Sequence, residues 1–79
     1  MKDLVETIAK ALVDSPENVN VTEEKREDGT IVINLYVAKA DMGKVIGKQG
    51  RIAKSIRTVV KTVALKQNKK VVVDINEAE

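Results

Sequence analysis

Three of the chain's four glycines fall within eight residues, at Gly43, Gly47 and Gly50, with cations among them at Lys44, Lys48 and Arg51. Glycine lacks the Cβ that holds a neighbour away from main chain, and it takes φ > 0 without strain. A segment of this kind lets an anion approach backbone N–H groups closely. Both flanks, 41–46 and 51–66, carry apolar residues at helical spacing. A helix running through Gly47 and Gly50 would lose about 1 kcal/mol at each relative to Ala. The spacing therefore predicts a tight four-residue loop, Gly47-Lys48-Gln49-Gly50, between two helices. The first N–H groups of the second helix then face the loop, where the helix dipole favours a negative ligand.

The charge distribution agrees. The net charge of +2 conceals ten cations and one acid in residues 39–70, a local balance of +9. Residues 1–38 carry four cations and eight acids, and residues 71–79 carry three acids. The basic third surrounds the glycines, which is an electrostatic footprint for a polyanion.

Other chemistries lack their residues. There is no His and no Cys, so a transition-metal site, a thiolate nucleophile and a disulfide are all excluded, and general acid–base work has no candidate pair. Glu23, Glu24, Glu27 and Asp28 read as a solvated hairpin cluster. Gly43-x-x-x-Gly47-Lys48-Gln49 is one residue short of a P-loop and lacks its Ser/Thr, and no G-x-G-x-x-G is present. No cofactor is implied. Tyr36 is the only aromatic, so an aromatic base-stacking platform cannot be built. No apolar run approaches the roughly 18 residues of a membrane span, and the first residues do not read as a signal peptide. A chain of 79 residues without Cys is expected to be a single small domain with a cytoplasmic address.

Several elements must position the glycines. Leu4, Val5, Ile8, Ala11 and Leu12 predict a helix over 1–14, ended by Ser15-Pro16. Residues 18–27 read as a strand with Val19 and Val21 inward, and Asp28-Gly29 as a tight turn. Residues 30–38 form the strongest strand, with Ile31, Ile33, Leu35 and Val37 facing helices and Asn34 and Tyr36 facing water. Asp41 is placed to cap the helix leading to the glycines. In the helix that follows, Ile52, Ile56, Val59 and Val63 form the predicted core stripe, and Arg51, Lys54, Arg57 and Lys61 lie opposite. Residues 66–70 are a basic connector, 71–75 a short last strand, and 76–79 a frayed tail. The order is α-β-β-α-α-β, with a hairpin followed by a parallel strand reached through a right-handed crossover. This is an α+β fold, a three-stranded mixed sheet carrying three helices on one face.

The run Val45-Ile46-Gly47-Lys48-Gln49-Gly50-Arg51-Ile52 resembles the GXXG element of the KH domain, which clamps about four backbone nucleotides of a single strand. The element order is that of the type II, prokaryotic KH fold, and the resemblance covers nearly the whole chain. It implies a non-catalytic single-stranded RNA-binding protein. On this resemblance Lys44, Val45, Ile46, Gly47, Lys48, Gln49, Gly50, Arg51, Ile52 and Lys54 form the RNA-binding site, with Val45, Ile46 and Ile52 as an aliphatic floor. The neighbouring strand and the 66–70 connector form its far wall. The resemblance further implies an RNA chaperone or post-transcriptional regulator tied to cell-envelope homeostasis and cell shape. It acts as a homodimer or paired with a larger KH-containing protein. Ala53, Val60 and Ala64, small residues bordering the core stripe, are the expected dimer seam.

Two other readings use the same residues. A short helix, a glycine turn and a longer helix are also the parts of a DNA-reading helix-turn-helix, although the long helix offers no Asn or Gln before Gln67 to read adenine edges. A basic face can also serve an acidic protein partner.

Overall fold

The computed structural model describes residues 1–78, with the side chains of Lys48 and Gln49 outside that description. Helix α1 spans Lys2–Leu12 and is followed by a single 3-10 turn at Pro16–Asn18. Strands β1 (Asn20–Lys25) and β2 (Ile31–Val37), helix α2 (Lys39–Lys66) and strand β3 (Val71–Glu77) complete the chain.

The strands lie in the order β1-β2-β3. β1 and β2 pair antiparallel, with Val21 opposite Leu35, and β2 and β3 pair parallel, with Ile33 opposite Val73. The hairpin closes through Asp28 and Gly29. Gly29 takes φ +90°, and the Thr30 N–H donates to Asp28 Oδ1 at 2.9 Å. That hydrogen bond holds the Asp28 carboxyl below its ordinary pKa. The mixed sheet and the parallel crossover are those the sequence predicts. The last strand runs further than its apolar residues suggest. Asn76 and Glu77, expected in a frayed tail, continue the pairing, and the Ala78 N–H donates to Val37 O at 2.7 Å.

One face of the sheet is covered. Ile33, Leu35 and Val37 are fully buried beneath the helices. The open face carries Asn20, Tyr36 and Asn76 side by side across the three strands. Val32 also points to that face, yet it is buried, lying in register between Glu24 and Val72.

α2 is assigned as 28 continuous helical residues, where the sequence predicts two helices and a four-residue loop. A straight helix of that length would span about 40 Å, but the longest extent of the whole molecule is 34 Å. The bend falls at Gly50, whose φ of +69° cannot continue a right-handed helix. α2 is thus two helical segments meeting at a glycine corner. Helical turns persist through Gly47, Lys48 and Gln49, and one residue takes the whole change of direction. With α1 this gives three helices over the sheet.

Three expectations about side chains are corrected. In α1 the buried line is Val5, Ala9 and Val13, not the larger Leu4, Ile8 and Leu12, and Leu12 is 37% exposed. Asp41 caps no helix: α2 begins at Lys39. Its buried carboxylate instead accepts the N–H groups of Asp14 (3.1 Å) and Ser15 (3.0 Å), where the chain leaves α1. Two donors that would otherwise lack partners are satisfied, and the exit of α1 is fastened to the first turn of α2.

The third correction concerns the expected seam. Ala53, Val60 and Ala64 are 3%, 1% and 3% exposed within the single chain. Together with Ile56 they form the inner line of the second segment, while Val59 is 39% exposed. Small side chains let the segment approach the sheet closely, so this line is core rather than an exposed seam. Val60→Asp would bury an unpaired charge at a cost of about 3–5 kcal/mol, a large share of the stability of a small domain. Circular dichroism should show melting lowered by about 20 °C or lost; a variant melting with the parent would place Val60 at the surface.

Candidate nucleic-acid interface

Two hollows lie beside the second segment of α2, and helical spacing puts them on opposite flanks. The larger, about 410 Å³, runs between that segment and β3. Arg57, Val60, Lys61 and Ala64 line its helix side, Val71, Val72 and Val73 its strand side, and Lys69 and Lys70 its end. The smaller, about 260 Å³, sits in the angle of the corner among Gly43, Lys44, Gly47, Arg51 and Ile52. Among the described residues no acid lines either hollow.

The glycines differ in what they do. Gly43 and Gly47 have helical φ, and a Cβ added at either would meet nothing within 4 Å. The fold therefore gains nothing from glycine at these positions, which weakens the helix by about 1 kcal/mol each relative to Ala. What their bareness provides is open main chain beside two cations. Gly50 is different, because its left-handed φ is one that other L-residues adopt only with strain of about 1–2 kcal/mol.

The structure brings together Lys44, Gly47, Arg51 and Ile52 around the smaller hollow, with Gly43 as a member the sequence reading did not include. Lys44 donates to Asp14 Oδ1 at 3.0 Å in an exposed ion pair, worth at most about 1 kcal/mol and easily exchanged for another anion. Val45 does not belong to the site: it is fully buried and part of the core. Its neighbour Ile46 is 49% exposed, as adjacent helical positions 100° apart require. The expected contributions of the Lys48 and Gln49 side chains lie outside the described residues. Ile52 is half-buried against the core, on the flank away from β3.

The far wall expected from the strand and the connector is present, but it faces Arg57 and Lys61 rather than Ile52. Arg57 Nε donates to the main-chain oxygen of Val73 at 3.4 Å. Lys54 shares the same helix face by spacing and is exposed, with Leu65 at the far end, 70% exposed. By sequence alone the stripe Lys54, Arg57 and Lys61 is a solvated helix face opposite the core. Only the packing of β3 reveals that this face overhangs a strand edge, and the signal available beforehand was the cation spacing 54, 57, 61. From Gly50 to Leu65 the groove side of the helix runs about 22 Å. Among the described residues no group of three or more His, Cys, Asp or Glu could hold a metal ion, and no helix is long and apolar enough to cross a membrane.

Two helical segments joined at a glycine corner, packed on a β-β-β mixed sheet with a basic groove at its free edge, define a KH domain of the type II order. A solved structure of Era, in complex with MgGDPNP and nucleotides 1506–1542 of 16S ribosomal RNA, shares this fold over 96% of the chain with a TM-score of 0.62. The match is at 18% sequence identity and spans 29% of Era's own chain. A family model described as KhpA/KhpB, KH domain, matches residues 2–75. RNA-binding protein KhpA of Clostridium perfringens is 65% identical over 75 residues, covering 95% of this chain and 99% of its own. RNA-binding protein KhpA of Listeria monocytogenes is 51% identical over 77 residues, 98% of this chain and 100% of its own. The chain belongs to the KhpA/KhpB KH-domain family, which is non-catalytic.

The two kinds of glycine separate in a stability measurement. Gly47→Ala should raise the urea midpoint, by up to about 1 kcal/mol in stability, and Gly50→Ala should lower it by about 1–2 kcal/mol. Equal effects would contradict the assignment of the corner to Gly50.

Proposed function

We propose that the protein binds single-stranded RNA, without catalysis, along the glycine corner and the groove between α2 and β3. The observation that carries this reading is bare main chain at Gly43 and Gly47, open to solvent, beside grooves lined by cations and aliphatic side chains without an acid. Phosphates approach where no Cβ intervenes, and Lys44 can exchange Asp14 for one of them. Bases then turn over Val71, Val72 and Val73 while Lys54, Lys61, Lys69 and Lys70 follow the backbone. The long second segment carries no Asn or Gln before Gln67 to read adenine edges, which favours an unpaired strand over a duplex read by an inserted helix. The names of the curated relatives support RNA as the polymer.

The family membership supports a finer reading: a cytoplasmic RNA chaperone or post-transcriptional regulator, acting in cell-envelope homeostasis and cell shape, that pairs with itself or with a larger KhpB-type protein. With Ala53, Val60 and Ala64 committed to the core, the other flank of α2 offers an apolar surface for pairing. There Val59 is exposed beside the half-buried Ile52 and Val63.

Gly47→Asp places a carboxylate in open space, so it should retain the parent's melting temperature and lose most affinity for a short single-stranded RNA. Parent affinity should fall with salt at a log–log slope of roughly −2 to −3, for three or four phosphates at about −0.7 each. A salt-independent affinity, or full binding by the variant, would contradict the proposal. Pairing is checked by sedimentation: the parent should form a dimer that Val59→Asp splits into folded monomers. A variant that sediments like the parent would remove Val59 from the seam.

A further inference from the structure

From the contact between Arg57 and the edge of β3 we infer that Arg57 is a specificity-determining residue, selecting guanine over adenine at the nucleotide that lies beside it. The inference rests on the RNA-binding reading above and adds to it a preference among bases.

β3 is an edge strand. Lys70 O and the Ala78 N–H both bond to β2 or its flanks, and main-chain groups alternate sides along a strand. The N–H and C=O groups of residues 71, 73, 75 and 77 therefore point away from the sheet, toward the groove. The bond from Arg57 Nε to Val73 O confirms this phase for residue 73. It has two consequences for a base entering at that level.

First, the guanidinium is oriented. With Nε engaged, the N–H groups of its two terminal nitrogens remain free, and they present a planar fork of parallel donors. Guanine offers a matching pair of acceptors, O6 and N7, whereas adenine offers N7 beside an amino donor. Secondly, the Arg57 Nε–H already takes one lone pair of Val73 O, so an exocyclic amino group at this level must share that carbonyl with the guanidinium. The other charged side chains lining the groove, Lys61, Lys69 and Lys70, are donors only. Every charged group at this level thus asks the base for acceptors. Guanine's O6/N7 edge supplies two, and adenine's N6/N7 edge supplies one and brings an unpaired donor.

The test is a scan of uridine hexamers carrying a single guanosine or a single adenosine at each position, with dissociation constants measured by fluorescence anisotropy. The parent should show one position where guanosine binds on the order of tenfold tighter than adenosine, as a bidentate arginine contact implies. Arg57→Lys keeps the charge but loses the planar fork, and the ratio at that position should fall to within about twofold of one. Arg57→Ala also frees Val73 O, and the ratio should fall to one or invert. Circular dichroism melts of both variants verify the fold, and because the readout is a ratio, a general loss of affinity does not mimic the effect. Equal binding of the two purines by the parent at every position, or a preference that survives Arg57→Lys, overturns the assignment and leaves RNA binding intact. No binding of any hexamer would reject the RNA-binding reading itself, and the base preference with it.

Discussion

The left-handed turn at Gly50 is the constraint on which the remaining geometry depends. It lets 28 residues of helix fold back within a molecule 34 Å long. The segment before the corner buries Val45, and the segment after it buries Ala53, Ile56 and Val60. Those core residues fix the two segments against the sheet, and the glycines at the corner leave open space where a Cβ would stand. Gly43 and Gly47 extend that bare patch at the expense of helix stability. A second fixture works from the other side. The Asp41 carboxylate ties the exit of α1 to the first turn of α2, so the corner is mounted on a braced frame although the core is thin.

The arrangement of charge follows from the same frame. The crossover that makes β3 parallel to β2 brings the second segment of α2 alongside a free strand edge. Cations spaced along that segment then overhang the edge, joined by Lys69 and Lys70 at the turn into β3. Two acids lie on the opposite side: Glu24 and Asp74 point to the open face of the sheet, by register with Val32 and Asn34. One side of the molecule attracts a polyanion and the other repels it, so the approach of such a ligand has a direction even with a net charge of only +2.

Much of this was legible in the residues. The hairpin, the parallel crossover and the glycine site follow from alternation, from Asp28-Gly29 and from glycine spacing, all local signals. The failures share a physical cause. Hydrophobicity ranks Leu4, Ile8 and Leu12 above Ala9 and Val13, and Val59 and Val63 above Ala53 and Ala64. The fold takes the second set of each, since layers in a thin core pack closely when the inner lines are small. Which of two adjacent apolar lines faces inward is decided by the opposing surface, and that surface is assembled from distant parts of the chain. The misreadings of Asp41 and Arg57 have the same origin. Their partners, Asp14 with Ser15 and Val73, lie 16 to 27 residues away, beyond the range of any cap or face rule.

The central claim is that uncovered main chain at the corner meets the backbone of an unpaired strand. The most direct measurement is a ¹⁵N chemical-shift titration of the protein with a short single-stranded RNA of mixed sequence. The largest shifts are expected at the amides of Gly43, Gly47 and Gly50, followed by those of the second helical segment and β3 that border the larger groove. Unmoved glycine amides, with the shifts gathered instead around Asn20, Tyr36 and Asn76 on the open sheet face, would contradict it.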